Sequence, residues 1–153
     1  MSTKRSGFTL IEMMVVVAMI SIMVAIATPR IRTLRDRSNL RAARDEVATG
    51  LAVARSAAVQ KGVTATFIAR HDTVRVALDA GKGQVILPAR PLDVLYGISL
   101  RPADADTAMT FDSRGFVPDR TVQLKYYLTV AGLTDSVCVS RLGIVTKMGC
   151  VKP

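Results

Sequence analysis

The residues able to do chemistry in this chain are few, and they do not cluster. His71, beside Asp72, is the single histidine. Between two β-like stretches it reads as a solvated turn residue rather than a base. No nucleophile stands near a plausible base, and Gly81-Lys82-Gly83 is too short for a phosphate-binding loop, so no catalytic residue and no enzyme is expected. Two cysteines, Cys138 and Cys150, cannot make a zinc site alone, and no metal or cofactor is expected. In an oxidising compartment they would close a loop around residues 139–149, whereas in the cytosol they would be two ordinary thiols. The remaining group is Glu12, the only charge between Phe8 and Thr28. A carboxylate one turn inside an apolar helix costs a few kcal/mol even on a gentle insertion scale, so it calls for a partner. No Lys or Arg lies deeper in that helix, which points to a group on another chain. An amine created by cutting after Gly7 would sit at the right depth.

The element that positions Glu12 is the apolar run FTLIEMMVVVAMISIMVAIAT, residues 8–28. At about 1.5 Å per residue it just crosses a bilayer's hydrocarbon core. A secretory signal has a shorter apolar region followed by small residues, whereas here the small residue comes first, in Lys4-Arg5-Ser6-Gly7. Met13, Met14, Met19 and Met23 are apolar filler of this helix. A plain N-terminal anchor is the simpler alternative, and Glu12 argues against it.

Lys-Arg-Ser-Gly followed by Phe-Thr-Leu-Ile-Glu resembles the type IV prepilin motif, with Glu12 fifth counting from Phe8. The resemblance implies cleavage between Gly7 and Phe8 by prepilin peptidase and N-methylation of Phe8. It also implies that Glu12 pairs with the N-terminus of a neighbouring subunit during assembly. Leader 1–7, transmembrane half 8–28, amphipathic half 29–61 and a β-rich domain 62–153 follow as the expected organisation. Lys4 and Arg5 favour a cytoplasmic N-terminus, but Arg30, Arg32, Arg35 and Arg37 crowd the other flank. Charge counting alone would place the C-terminal side inside. The resemblance implies the reverse: a bacterial inner-membrane, single-pass protein whose globular part is periplasmic and which joins an envelope filament. Many pilins also close a C-terminal loop by a disulfide, here Cys138 with Cys150, which would add about 2–3 kcal/mol in the chain-entropy picture.

Pro29 predicts a kink in a continuing helix, the alternative being that the helix ends there. Leu40, Ala43, Val47, Leu51, Ala54 and Ala58 fall on one narrow, small-sided stripe suited to packing on a sheet, with Gly50 a mild weakness and an end near Lys61-Gly62. Arg30, Arg37, Arg41, Arg44 and Arg55 lie on a flank beside it. With Asp36, Asp45 and Glu46 nearby, that flank reads as a solvated face, a lipid-headgroup contact or a nucleic-acid surface. Beyond Gly62, residues 63–69 and 73–79 predict a hairpin, and residues 84–87 a strand stopped by Pro88 and Pro91. Further strands are expected over 97–101, 109–112, 122–130, 136–140 and 143–147. The fold class is therefore α+β: a long N-terminal helix packed on an antiparallel sheet.

That order, with Phe111-Asp-Ser-Arg-Gly-Phe-Val-Pro118 before the last strands, resembles the GspH/FimT family of minor pilins and pseudopilins. The resemblance implies a structural subunit of a type IV pilus or type II secretion filament, with other pilins, prepilin peptidase and the inner membrane as partners. The FimT-like branch includes DNA-binding pilins carrying Gly-Arg-x-Arg near the C-terminus. Here Gly143-Ile-Val-Thr146 stands at that place, flanked by Arg141 and Lys147, with Lys125 and Lys152 as further cations. A DNA contact would rest on Arg141 and Lys147. The formal charge of +9, from 21 basic and 12 acidic residues, is compatible with such an anionic partner without identifying it.

Overall fold

A computed structural model describes residues 8–78, 84–103, 108–118 and 124–147. Its first element is the helix α1, Leu10–Lys61, which runs through two compact units, 1–35 and 36–153. In the first unit the helix is exposed, and over residues 10–28 it is apolar apart from Glu12 and the hydroxyls of Ser21 and Thr28. Those hydroxyls fold back on the backbone: Ser21 Oγ donates to the Val17 carbonyl at 2.8 Å and Thr28 Oγ1 to that of Val24 at 2.7 Å. Such bonds let hydroxyls sit in an apolar helix without an unsatisfied donor. Pro29 lies inside α1, so the helix does not end there.

In the second unit α1 presents the small-sided stripe, and all six expected positions from Leu40 to Ala58 are buried. Among the described residues eight strands follow: β1 (Ala65–Arg70), β2 (Thr73–Leu78), β3 (Val85–Pro91), β4 (Ser99–Pro102), β5 (Ala108–Phe111), β6 (Leu124–Val130), β7 (Leu133–Val139) and β8 (Val145–Thr146), with a short helix α2 (Leu92–Tyr96) between β3 and β4. They form two antiparallel sheets, ordered β3-β2-β1-β5 and β4-β6-β7-β8. The fold is α+β, with two four-stranded sheets where the sequence pattern suggested one. Side chains of α1 and of both sheets make one core, and Phe67 of β1 meets Tyr126 of β6 edge-on at 5.6 Å between ring centres.

Local chemistry sets the hairpins. His71 and Asp72 both take positive φ, 47° and 56°, in a two-residue connection where Arg70 pairs with Thr73. Ala131 and Gly132 do the same between β6 and β7, with φ of 46° and 80°. These are the left-handed turns whose twist matches that of the flanking strands. Pro88 and Pro91 do not stop β3, which runs to Pro91 as an edge strand with register shifts against β2. An edge tolerates missing N–H donors, so the expected stop does not occur.

Candidate functional site

Thr9 starts the helix. Its Oγ1 accepts the backbone N–H of Glu12 at 3.3 Å, and its carbonyl accepts that of Met13 at 3.3 Å. Thr9 and Glu12 thus stand at the N-cap and third helical positions, a spacing that caps two orphan donors when the acid also reaches back. The sequence carries this signal as Thr9-Leu-Ile-Glu12. Glu12 lies in the first turn, where the helix dipole favours an anion. Its carboxylate makes no hydrogen bond or ion pair among the described residues. Around it the side chains are bare: Phe8 is 80% exposed, Leu10 78%, and none of the most apolar window is buried. An unburied window of mean hydropathy 2.6, on a helix long and apolar enough to cross a bilayer, is suited to cover by lipid or other chains. Gly7 lies outside the described residues.

The basic candidates of the second unit are placed differently from one another. Lys147 Nζ stands 3.2 Å from Asp45 on α1. Arg44, with a side chain 16% exposed, donates from Nη1 to Asp135 on β7 at 3.0 Å and has Nε 3.7 Å from Asp45. Lys147 is therefore one member of an ion-pair network that ties α1 to the β4-β6-β7-β8 sheet. Arg141 is exposed, in the turn between β7 and β8, and its carbonyl accepts the Val117 N–H at 3.0 Å. The flank expected from the sequence is also divided, since Glu46 pairs with Arg90 at 3.0 Å.

Two turns meet at the C-terminal half of α1. In the first, Asp112 Oδ1 accepts the backbone N–H groups of Arg114 and Phe116, each at 2.9 Å. These bonds, led by that of Phe116, hold the Asp112 carboxyl below its ordinary range. In the second, the Gly143 N–H donates to the Ser140 carbonyl at 2.9 Å. Gly115 and Gly143 are buried with φ of 82° and 72°, and the Arg55 side chain lies against both. Val59, Arg114 and Ile144 continue an open, mostly apolar groove from this point. The strand expected over 109–112 is present as β5, whereas the packing of Arg55 against the two glycines has no signal in the local sequence.

His71 sits exposed in its hairpin turn, and its neighbour does more than expected. Asp72 Oδ1 accepts the Leu100 N–H at 2.6 Å and the Ser99 hydroxyl at 3.3 Å, while its carbonyl accepts the Leu92 N–H at 2.7 Å. One turn residue thus ties the β1–β2 hairpin to α2 and β4. Cys138 is buried on β7, opposite Lys125 and Thr146, and Cys150 lies outside the described residues. Among the described residues no three His, Cys, Asp or Glu side chains converge as a metal site would need.

Residues 2–28 match the prokaryotic N-terminal methylation motif. Two crystal structures of the type IV minor pilin FimU of Pseudomonas aeruginosa share the fold. One, in space group P21, gives a TM-score of 0.62 at 16% identity over 76% of this chain and 92% of that one. The other, in space group P65, gives 0.58 at 16% identity over 72% and 93%. The chain thus joins a prepilin-type methylation motif to a pilin-like fold. No curated protein matches it in sequence. In this pilin-like chain the methylation motif covers the bare apolar helix and Glu12, while the likeness to FimU is one of fold.

Proposed function

We propose that the chain is a minor subunit of an envelope filament, of the type IV pilus or type II secretion kind and of the GspH/FimT group. Prepilin peptidase removes residues 1–7 after Gly7, and Phe8 becomes the N-methylated mature terminus. The apolar helix first anchors the protein in the inner membrane with the globular unit on the periplasmic side. It then passes into the filament core, where other pilins replace lipid around it. Glu12 neutralises the N-terminal amine of an adjacent subunit, and Pro29 is the point at which the helix bends or loosens. On the oxidising side of the membrane Cys138 and Cys150 close the C-terminal loop.

The observation that carries this reading is Glu12: an acid without an ion pair among the described residues, one turn inside an unburied apolar helix, the fifth residue after the Gly7–Phe8 junction. A charge so placed is costly in lipid and is stabilised once a cation from a neighbour reaches it. Glu12→Ala is the test. The variant should insert and be cleaved as the parent is, yet be depleted from sheared filaments. Incorporation at the parental level would remove Glu12 from the assembly step.

A further inference from the structure

The ion pairs of the second unit change the meaning of the basic stretch that follows the apolar run. Asp45 and Glu46, the nearby acids, are committed to Lys147 and Arg44 and to Arg90 respectively. Arg30, Arg32 and Arg35 are exposed and have no ion pair among the described residues. Between Glu12 and Asp36 the sequence holds no acid at all. Asp36, one turn beyond Arg32, forms no ion pair with it. The three guanidinium groups are therefore uncompensated.

Their placement suits one ligand. The apolar run ends at Thr28, so in a spanning helix Arg30 stands just outside the hydrocarbon core. Arg30 to Arg35 then rises about 7.5 Å, which matches the depth of one headgroup layer. At 100° per residue Arg32 and Arg35 share one side of the helix and Arg30 takes the other, so a surrounding ring of lipids meets a cation on either side. Guanidinium binds phosphate through paired, charge-assisted hydrogen bonds, and its planar fork does so better than an ammonium.

We infer that Arg30, Arg32 and Arg35 form a collar that binds the phosphates of anionic lipids in the leaflet at the C-terminal end of the span. This rests on the membrane-spanning reading proposed above. The collar sits on the side of the membrane that charge counting disfavours, and bound anionic lipid offsets the surplus there. It also gives the subunit a holding site in the bilayer before its helix enters a filament.

The test uses the full chain in nanodiscs of equimolar phosphatidylglycerol and phosphatidylcholine, with lipids carried by the released protein weighed by native mass spectrometry. Retention of phosphatidylglycerol over phosphatidylcholine by a factor on the order of ten is expected, in line with the attraction of juxtamembrane basic residues to anionic lipid. The triple variant R30Q/R32Q/R35Q should bring the ratio to that of the bilayer. The charge-matched R70Q/R75Q/R101Q, altered in the β-rich unit, should leave it unchanged. Equal retention of both lipids by the parent overturns the collar, as does a preference that survives in R30Q/R32Q/R35Q or disappears in the control. A triple variant that loses self-association while keeping its lipid ratio would assign the arginines to a second copy instead. Alkaline extraction from phosphatidylcholine vesicles separates the two readings. A chain that washes off defeats the membrane-spanning proposal, whereas one that stays but shows no lipid preference defeats only the collar.

Discussion

Replacing Gly143 by Ala probes the meeting of two turns and α1 with a single carbon atom. A Cβ at Gly143 would overlap the Gly115 carbonyl oxygen and come within 3.0 Å of Arg55 Nε and 3.2 Å of its Cδ. A backbone oxygen cannot swing aside as a side chain can. Two costs add. An L-residue at φ of 72° carries about 1–2 kcal/mol of left-handed strain, and overpacking a filled site costs about 1–3 kcal/mol more. Gly132→Ala separates them, because φ there is 80° but no atom lies within 4 Å of the added carbon. Gly132→Ala should lose about 1–2 kcal/mol and Gly143→Ala about 2–5 kcal/mol. The assay is urea unfolding of a soluble fragment beginning at Asp36, which contains every residue of the core. With an m-value of about 1–3 kcal/mol per molar, the two midpoints should differ by roughly 1 M. Equal midpoints would mean that Arg55 and the Gly115 turn are not packed against Gly143 as described.

Three further outcomes follow from the same contacts. Asp72→Ala removes the acceptor of the Leu100 N–H and places Ala at φ of 56°, so the fragment should lose about 2–4 kcal/mol in urea unfolding, while Asp72→Asn, which tolerates that φ and keeps an acceptor, should lose clearly less. The Asp112 carboxyl, lowered chiefly by its bond from the Phe116 N–H, stabilises the fold above its ordinary pKa, and that contribution is lost as pH falls through the lowered folded value. The stability gap between parent and Asp112→Asn should therefore narrow on acidification, and a gap that widens would reverse the sign. Gly50→Ala sets a helix-propensity gain of about 1 kcal/mol against a Cβ placed 2.8 Å from the Phe67 ring, and since that ring is fully buried the variant should be destabilised in the same unfolding assay.

Much of the architecture was legible because it depends on short-range pattern. The apolar run and the stripe from Leu40 to Ala58 rest on composition and periodicity, and the turns at His71-Asp72 and Ala131-Gly132 on Asp72 and Gly132, which tolerate positive φ. What escaped depends on partners remote in sequence. Gly50 read as a weak helical position, but its value lies in letting Phe67 approach the helix axis. Asp45 and Glu46 read as acids of the arginine flank, but Asp45 is shared between Arg44 and Lys147 and Glu46 pairs with Arg90 of β3, leaving Arg30, Arg32 and Arg35 uncompensated. The division into two sheets turns on pairings such as β1 with β5, which local pattern does not encode. α2 was missed because five residues after Pro91 are too few to show a helical period. At the N-terminus the motif was plain, yet the cap formed by Thr9 needed only its Thr-x-x-Glu spacing to be read.

The central claim is that this is a processed assembly subunit, and the intact mass of the chain recovered after co-expression with a prepilin peptidase tests it most directly. The account predicts a chain lacking residues 1–7, beginning at Phe8 and heavier by one methyl group, with Gly7→Val blocking the change. A chain that keeps its leader beside an active peptidase, or is cut elsewhere, would contradict it.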